Sequence, residues 1–149
     1  RVVAITPVWP NIVQIPRILG AEVHDVSLEP RAGFWHLDLD ALLAALSPRT
    51  RVLLIASPGN PTGWQIDPEQ QARVLEHCRR HGIWIVADEV YERLSYRDPV
   101  APSFLRLAHA DDRVIAVNSF SKSWSMTGWR LGWVVLPARL AAQFPKLME

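Results

Sequence analysis

Six short apolar runs recur along this chain, separated by stretches with helical spacing, and that alternation limits the fold more than any other feature. The runs are "VVAI" (2–5), "EVHDVSL" (22–28), "RVLLIAS" (51–57), "IWIVADE" (83–89), "RVIAVNSF" (113–120) and "WRLGWVVLP" (129–137). Between them, Leu39, Leu42, Leu43 and Leu46 fall at i, i+3, i+4 and i+7, one face of a helix. "DPEQQARVLEHCRRHG" (67–82) is punctuated at both ends. Asp67 suits the cap, Pro68 the first helical position, Gln70 the capping-box position and Gly82 the stop. Ala72, Val74, Leu75 and Cys78 are expected to face inward. Strands alternating with helices, several strands being almost wholly apolar, predict an α/β fold with a mostly parallel sheet covered on both faces.

The totals set bounds on partners. Of the 149 residues, 49% are hydrophobic and 21% charged, which is enough apolar material for a packed core. The formal net charge of +1 and the scattered basic residues give no footprint for nucleic acid. Cys78 stands alone, so there is no disulfide framework and no cysteine zinc site. No apolar stretch reaches the ~20 residues of a membrane span, and with no signal peptide visible the expected location is cytoplasmic. The chain opens on Arg1-Val2-Val3-Ala4-Ile5 and closes inside a helical pattern, so a fragment of a longer polypeptide is expected.

Ligands of open α/β sheets bind beyond the carboxyl ends of the strands, and the unusual residues cluster there. Trp9 follows the first run, Asn60 lies in "PGNPTG" after the third, and Asp88 ends the fourth with Tyr91 three residues on. Ser119, Ser121 and Lys122 follow the fifth, and Arg130 opens the sixth. Singly, each has an ordinary explanation: a core tryptophan, a turn, a helix-capping aspartate, a surface cation. Lys122 is harder to dismiss. The chain has 14 arginines and only two lysines, Lys122 and Lys146. Arginine serves for charge but does not give up its proton, whereas a desolvated lysine amine is a candidate nucleophile.

Three segments, "SPGNPTG", "ADEVY" and "SFSKSWSMTGWRLGW", resemble the signatures of a known family, the fold-type I, pyridoxal-phosphate-dependent aminotransferases of class I/II. Order and spacing match: 28 residues from Asn60 to Asp88, 34 from Asp88 to Lys122 and eight from Lys122 to Arg130. "TPVWPN" resembles the segment that supplies an aromatic face over the cofactor. The resemblance implies a three-layer α/β/α domain whose strand after the lysine runs antiparallel. It implies that Lys122 forms the Schiff base with the aldehyde of pyridoxal 5'-phosphate and then shuttles a proton. Asp88 would keep the ring nitrogen protonated, Tyr91 and Asn60 would hydrogen-bond the ring's phenolic oxygen, and Ser119 and Arg130 would hold the phosphate. Trp9 would stack on the ring. By the same resemblance, residues 1–149 are the central part of the large domain, with an upstream phosphate loop and a small C-terminal domain outside this chain, and the whole protein is a homodimer.

The activity so implied is transfer of an amino group between an amino acid and a 2-oxo acid, of aspartate/aromatic type or broad specificity, with the isolated fragment inactive. Two alternatives share the same lysine and aspartate: a lyase or decarboxylase on this cofactor, and a non-catalytic cofactor-sensing regulator. His77 and His81, four apart on a helix, lack a third metal ligand in the sequence, so no metal is expected. Arg79 and Arg80 are read as a solvated face.

Overall fold

The computed structural model describes residues 1–147. In chain order the elements are β1 (Val2–Thr6), α1 (Pro10–Ile18), β2 (Val23–Ser27), β3 (Glu29–Arg31), β4 (Phe34–His36), α2 (Leu39–Ala45), β5 (Val52–Ala56), α3 (Pro68–His81), β6 (Trp84–Asp88), β7 (Val114–Ser119), α4 (Phe120–Ser123) and β8 (Gly132–Val135). Five strands are parallel and β8 is antiparallel to β7, in the order β2-β1-β5-β6-β7-β8. Strands β3 and β4 form a separate antiparallel hairpin.

Strand alternation divides the sheet's side chains between two layers. Val3, Ile5, Leu53, Ile55, Ile85, Ala87 and Val114 form one core with Leu42 and Leu46 of the α2 region and Val74, Leu75 and Cys78 of α3. Each fully buried aliphatic side chain there contributes about 1.5–3 kcal/mol. Right-handed crossovers place α1, which joins β1 to β2, on the opposite face from α2 and α3. The three layers expected from the sequence are therefore present, but the second face is only partly covered. Leu54, Val86, Ile115 and Val117 on it are half-buried among the described residues.

Helix α3 follows its sequence signals closely. The Asp67 carboxylate accepts from the Gln70 N–H at 2.8 Å, Pro68 takes the first turn, and Gly82 ends the helix in the left-handed region at φ 66°. One inward position differs from expectation: Ala72 is exposed and Gln71 is buried instead. The amide of Gln71 earns that place by donating to the Pro102 carbonyl at 3.0 Å, which a pattern of apolar residues alone does not reveal. Both arginines of the pair are exposed, as expected; Arg79 also forms a bidentate pair with Asp112 at 2.8 and 2.6 Å, and Arg80 lies 3.6 Å from Glu76.

Two elements carry no clear periodic signal in the sequence. Pro16 lies inside α1 and masks it, although Pro10 supplies a proper helix start. The β3–β4 hairpin uses strands of only three residues, too short for a period-2 pattern.

Candidate functional site

The parallel strands all deliver their carboxyl ends to one edge, and the chemistry gathers there. Trp9 is the cap residue of α1, Asn60 sits in the turn after β5, and Asp88 is the last residue of β6. Tyr91 leaves β6 on a short turn, and Ser119 ends β7 while capping α4, which carries Lys122. Arg130 follows a single 3-10 turn, Thr127–Trp129, with φ 53°. Left-handed backbone at a non-glycine residue is rare and costs on the order of 1–2 kcal/mol. All seven sequence-predicted residues line one cleft of about 400 Å³.

Within the cleft the groups differ in solvation. Asp88 is half-buried, and Val90 donates its N–H to Oδ1 at 3.1 Å. Burial pushes the Asp88 carboxyl above its ordinary range, opposed by that N–H. The Asn60 amide donates to the Tyr91 phenol at a long 3.5 Å. A ligand oxygen arriving between them would find two donors already facing each other. The helix-capping explanation of Asp88 is met only in part, because "EVYERL" forms a 3-10 turn at Glu92–Leu94 and no α-helix.

Two expectations need adjustment. Lys122 is exposed, not desolvated, among the described residues. Any apolar cover for its amine has to come from a ligand or from further polypeptide. Ser119 is also occupied: its hydroxyl donates to the Leu131 carbonyl at 3.2 Å and accepts from the Ser121 N–H at 3.0 Å. To donate to a phosphate it must turn away from Leu131. Arg130 spends one amino group on the Thr127 carbonyl at 3.1 Å and is otherwise exposed. Trp9, which could have been a core residue, is 53% exposed, as a stacking surface requires.

Ile12, Ala56, Val90, Ser121 and Thr127 complete the cleft wall. Val90, in the segment between Asp88 and Tyr91, was not singled out by the sequence. Ile12 was not either, because its helix was not legible. A larger cleft of about 620 Å³ lies between the β3–β4 hairpin and the start of α3. It holds Trp35, Trp64 and Arg97 but no lysine, so the reactive groups lie in the smaller of these two clefts. His77 and His81 stack at 4.3 Å, and each gives a ring nitrogen to a carbonyl, Leu46 and His77 respectively. The described residues contain no cluster of three metal-ligating side chains.

The mostly parallel α/β sheet thus sets an amine, a half-buried carboxylate, a phenol–amide pair and a guanidinium around one cleft. The chain belongs to the class I and II aminotransferase family, whose model matches residues 1–149. It is 36% identical to the valine–pyruvate aminotransferase of Mycobacterium tuberculosis over 94% of this chain and 35% of that protein. It is 31% identical to the aspartate aminotransferase of Musicola paradisiaca over 100% of this chain and 37% of the relative. The crystal structure of N-succinyldiaminopimelate aminotransferase from Mycobacterium tuberculosis superimposes with a TM-score of 0.87 at 33% identity, covering 95% of this chain and 37% of that one. The chain thus spans a little over a third of the length of these relatives.

The family's cofactor is pyridoxal phosphate, and the donor set fits it. Among the residues lining the cleft, Lys122 would offer an amine to the aldehyde, Asp88 a carboxylate to the ring nitrogen, Asn60 and Tyr91 two donors to a phenolic oxygen, and Arg130 a fork to a phosphate.

Proposed function

We propose that the whole protein is a pyridoxal-phosphate-dependent aminotransferase that moves an amino group between an amino acid and a 2-oxo acid. Residues 1–149 form the central part of its cofactor-binding large domain. The observation that carries this reading is the convergence of Trp9, Asn60, Asp88, Tyr91, Ser119, Lys122 and Arg130 on one cleft. The relatives act on aspartate, on valine with pyruvate, and on succinyldiaminopimelate. That range supports amino transfer; an aspartate/aromatic-type or broad substrate choice is part of the proposal.

Each residue has a task that its chemistry suits. Arg130 binds the phosphate through its planar fork, with Ser119 as a second donor once its hydroxyl turns. Trp9 supplies the face on which the ring stacks. Asn60 and Tyr91 donate to the phenolic oxygen and fix the ring's rotation in the cleft. Asp88 holds a proton on the ring nitrogen, since a nearby carboxylate favours that charge. Its shallow burial strengthens this pairing, because screening is weaker there than in water. Once the substrate's amine has displaced it from the aldehyde carbon, the free Nζ of Lys122 would take the proton from the substrate α-carbon and hand it to the cofactor. The bound cofactor supplies an electron sink for the carbon that loses the proton.

The full-length protein is expected to act as a homodimer. No described helix is long and apolar enough to cross a membrane, and a cytoplasmic location is part of the same proposal. The reading is tested by incubating the full-length protein with cofactor, aspartate or an aromatic amino acid, and a 2-oxo acid. Appearance of the new amino acid is expected. Release of carbon dioxide or ammonia without it would favour the lyase alternative.

A further inference from the structure

Glu89 has no role in the site just described, yet it is a buried carboxylate, 4% exposed, next to Asp88 in the chain. Adjacent side chains on a strand point to opposite sides, so Glu89 faces away from the cleft that Asp88 lines. Its two oxygens are both used. The Ser103 hydroxyl donates to one at 2.7 Å, and the Phe104 N–H donates to the other at 3.1 Å. Phe104 is itself sunk in the core at 1% exposure. A second tie lies close by, where the Ala101 N–H donates to the Glu92 carbonyl at 2.8 Å. The turn between, Asp88 to Glu92, bears Tyr91, and the stretch from 93 to 99 that follows is mostly exposed. That stretch is held further on, where the Ser95 hydroxyl donates to Gln65 Oε1 and Gln65 Nε2 donates to Asp98, both at 2.8 Å, and the backbone N–H of Glu89 donates to the Val117 carbonyl at 2.9 Å; the Glu89 carboxylate adds the tie from the turn to Ser103 and Phe104.

We propose that Glu89 is a positioning residue: by anchoring Ser103 and Phe104 it fixes the turn that presents Asp88 and Tyr91 to the cofactor cleft. This rests on the pyridoxal-phosphate reading above. The charged groups nearest to it are Asp88 and Glu92, and Arg93 is paired with Glu92 at 3.7 Å. Burial raises the Glu89 carboxyl, and the two donors oppose that rise. The anchor depends on shape and acceptors more than on charge. A glutamine there could still accept from the Phe104 N–H and donate to the Ser103 oxygen, whereas an alanine leaves both donors unpaired.

The test uses the full-length protein as wild type, E89A, E89Q and S103A. Three quantities are read: the cofactor dissociation constant from the visible band, the pH midpoint of that band, and the melting temperature of the cofactor-free protein. E89A should weaken cofactor binding about tenfold and move the pH midpoint, as loss of a buried charge-assisted anchor implies. E89Q should restore both, and S103A should shift both in the same direction by less. If E89A lowers only the melting temperature, or if E89Q is as defective as E89A, the proposal is overturned. Should E89A not fold, an S103A variant with unchanged affinity and midpoint overturns it equally. A wild-type protein without a visible band overturns the cofactor reading and this proposal with it.

Discussion

Gly132 stands where β7 and β8 meet too closely for any side chain. A Cβ there would lie 2.6 Å from the Asn118 carbonyl oxygen and 3.5 Å from the Ser119 Cα. Those are backbone atoms of the strand that delivers Ser119 and Lys122, so they yield only by moving the site. Gly132→Ala should cost about 1–3 kcal/mol, the usual range for forced overpacking. Chemical denaturation of the full-length protein measures it, and a variant within experimental error of wild type would contradict the close approach. Asp88→Asn should retain cofactor but lower turnover on the order of 100-fold, the scale of a lost proton-holding group. Near-normal turnover would remove the pairing of Asp88 with the ring nitrogen. At this scale the sequence is most readable through residue types that are wasteful elsewhere. A lysine far from either chain end in an arginine-rich chain and an aspartate ending an apolar strand both mark the cleft. Exposure and partners are less readable. Nothing in "SFSKSW" states that the Ser119 hydroxyl is already engaged with Leu131 or that Lys122 stands open. Glu89 was also invisible, because a glutamate in sequence looks like surface until its donors from 103 and 104 are seen.

Helix α3 shows how elements are specified by their ends. Asp67, Pro68 and Gly82 are local signals, acting within a turn of their own positions, so they survive transfer from sequence to structure. Asp67→Ala should therefore cost about 1 kcal/mol. Asp67→Asn, which keeps an accepting oxygen, should cost much less. Equal losses in the two variants, read by thermal unfolding, would mean that the cap bond to Gln70 contributes nothing. Elements that depend on distant partners were harder to read. Helix α1 contains Pro16 and exposes Ile15, Ile18 and Leu19, so neither propensity nor burial announces it. It forms because β1 and β2 must be joined by a right-handed crossover. The inward place of Gln71 likewise depends on the Pro102 carbonyl, 31 residues away.

For the whole molecule, the mostly parallel sheet followed from alternating apolar runs and the antiparallel sense of β8 from the family resemblance, whereas the strand order β2-β1-β5-β6-β7-β8 was not legible. The incomplete cover on the sheet's second face did not follow, because apolar strands read the same whether or not a layer lies over them. Burial of titratable groups sets the molecule's response to pH. Asp88 and Glu89 are both raised by burial, so over the window just above the ordinary carboxylate range the folded chain holds more protons than the unfolded one. Their contribution to stability therefore falls as pH rises through the raised values. Asp112 acts in the opposite sense. Arg79 holds it below its ordinary value, so its contribution is present above that value and is lost as pH falls. Cofactor-free protein should thus lose denaturation midpoint as pH rises out of the carboxylate range, and Asp88→Asn should flatten that loss. An unaltered slope in the variant would mean that Asp88 is not the group responsible.

The central claim is that Lys122 is the residue that bonds to the cofactor, and it is tested most directly by trapping. The full-length protein is mixed with pyridoxal phosphate, its visible spectrum recorded, borohydride added, and the labelled peptide mapped. A visible band that borohydride removes, with the label on Lys122 and no label in Lys122→Ala, is the predicted result. No band, or a label on another lysine, would contradict it.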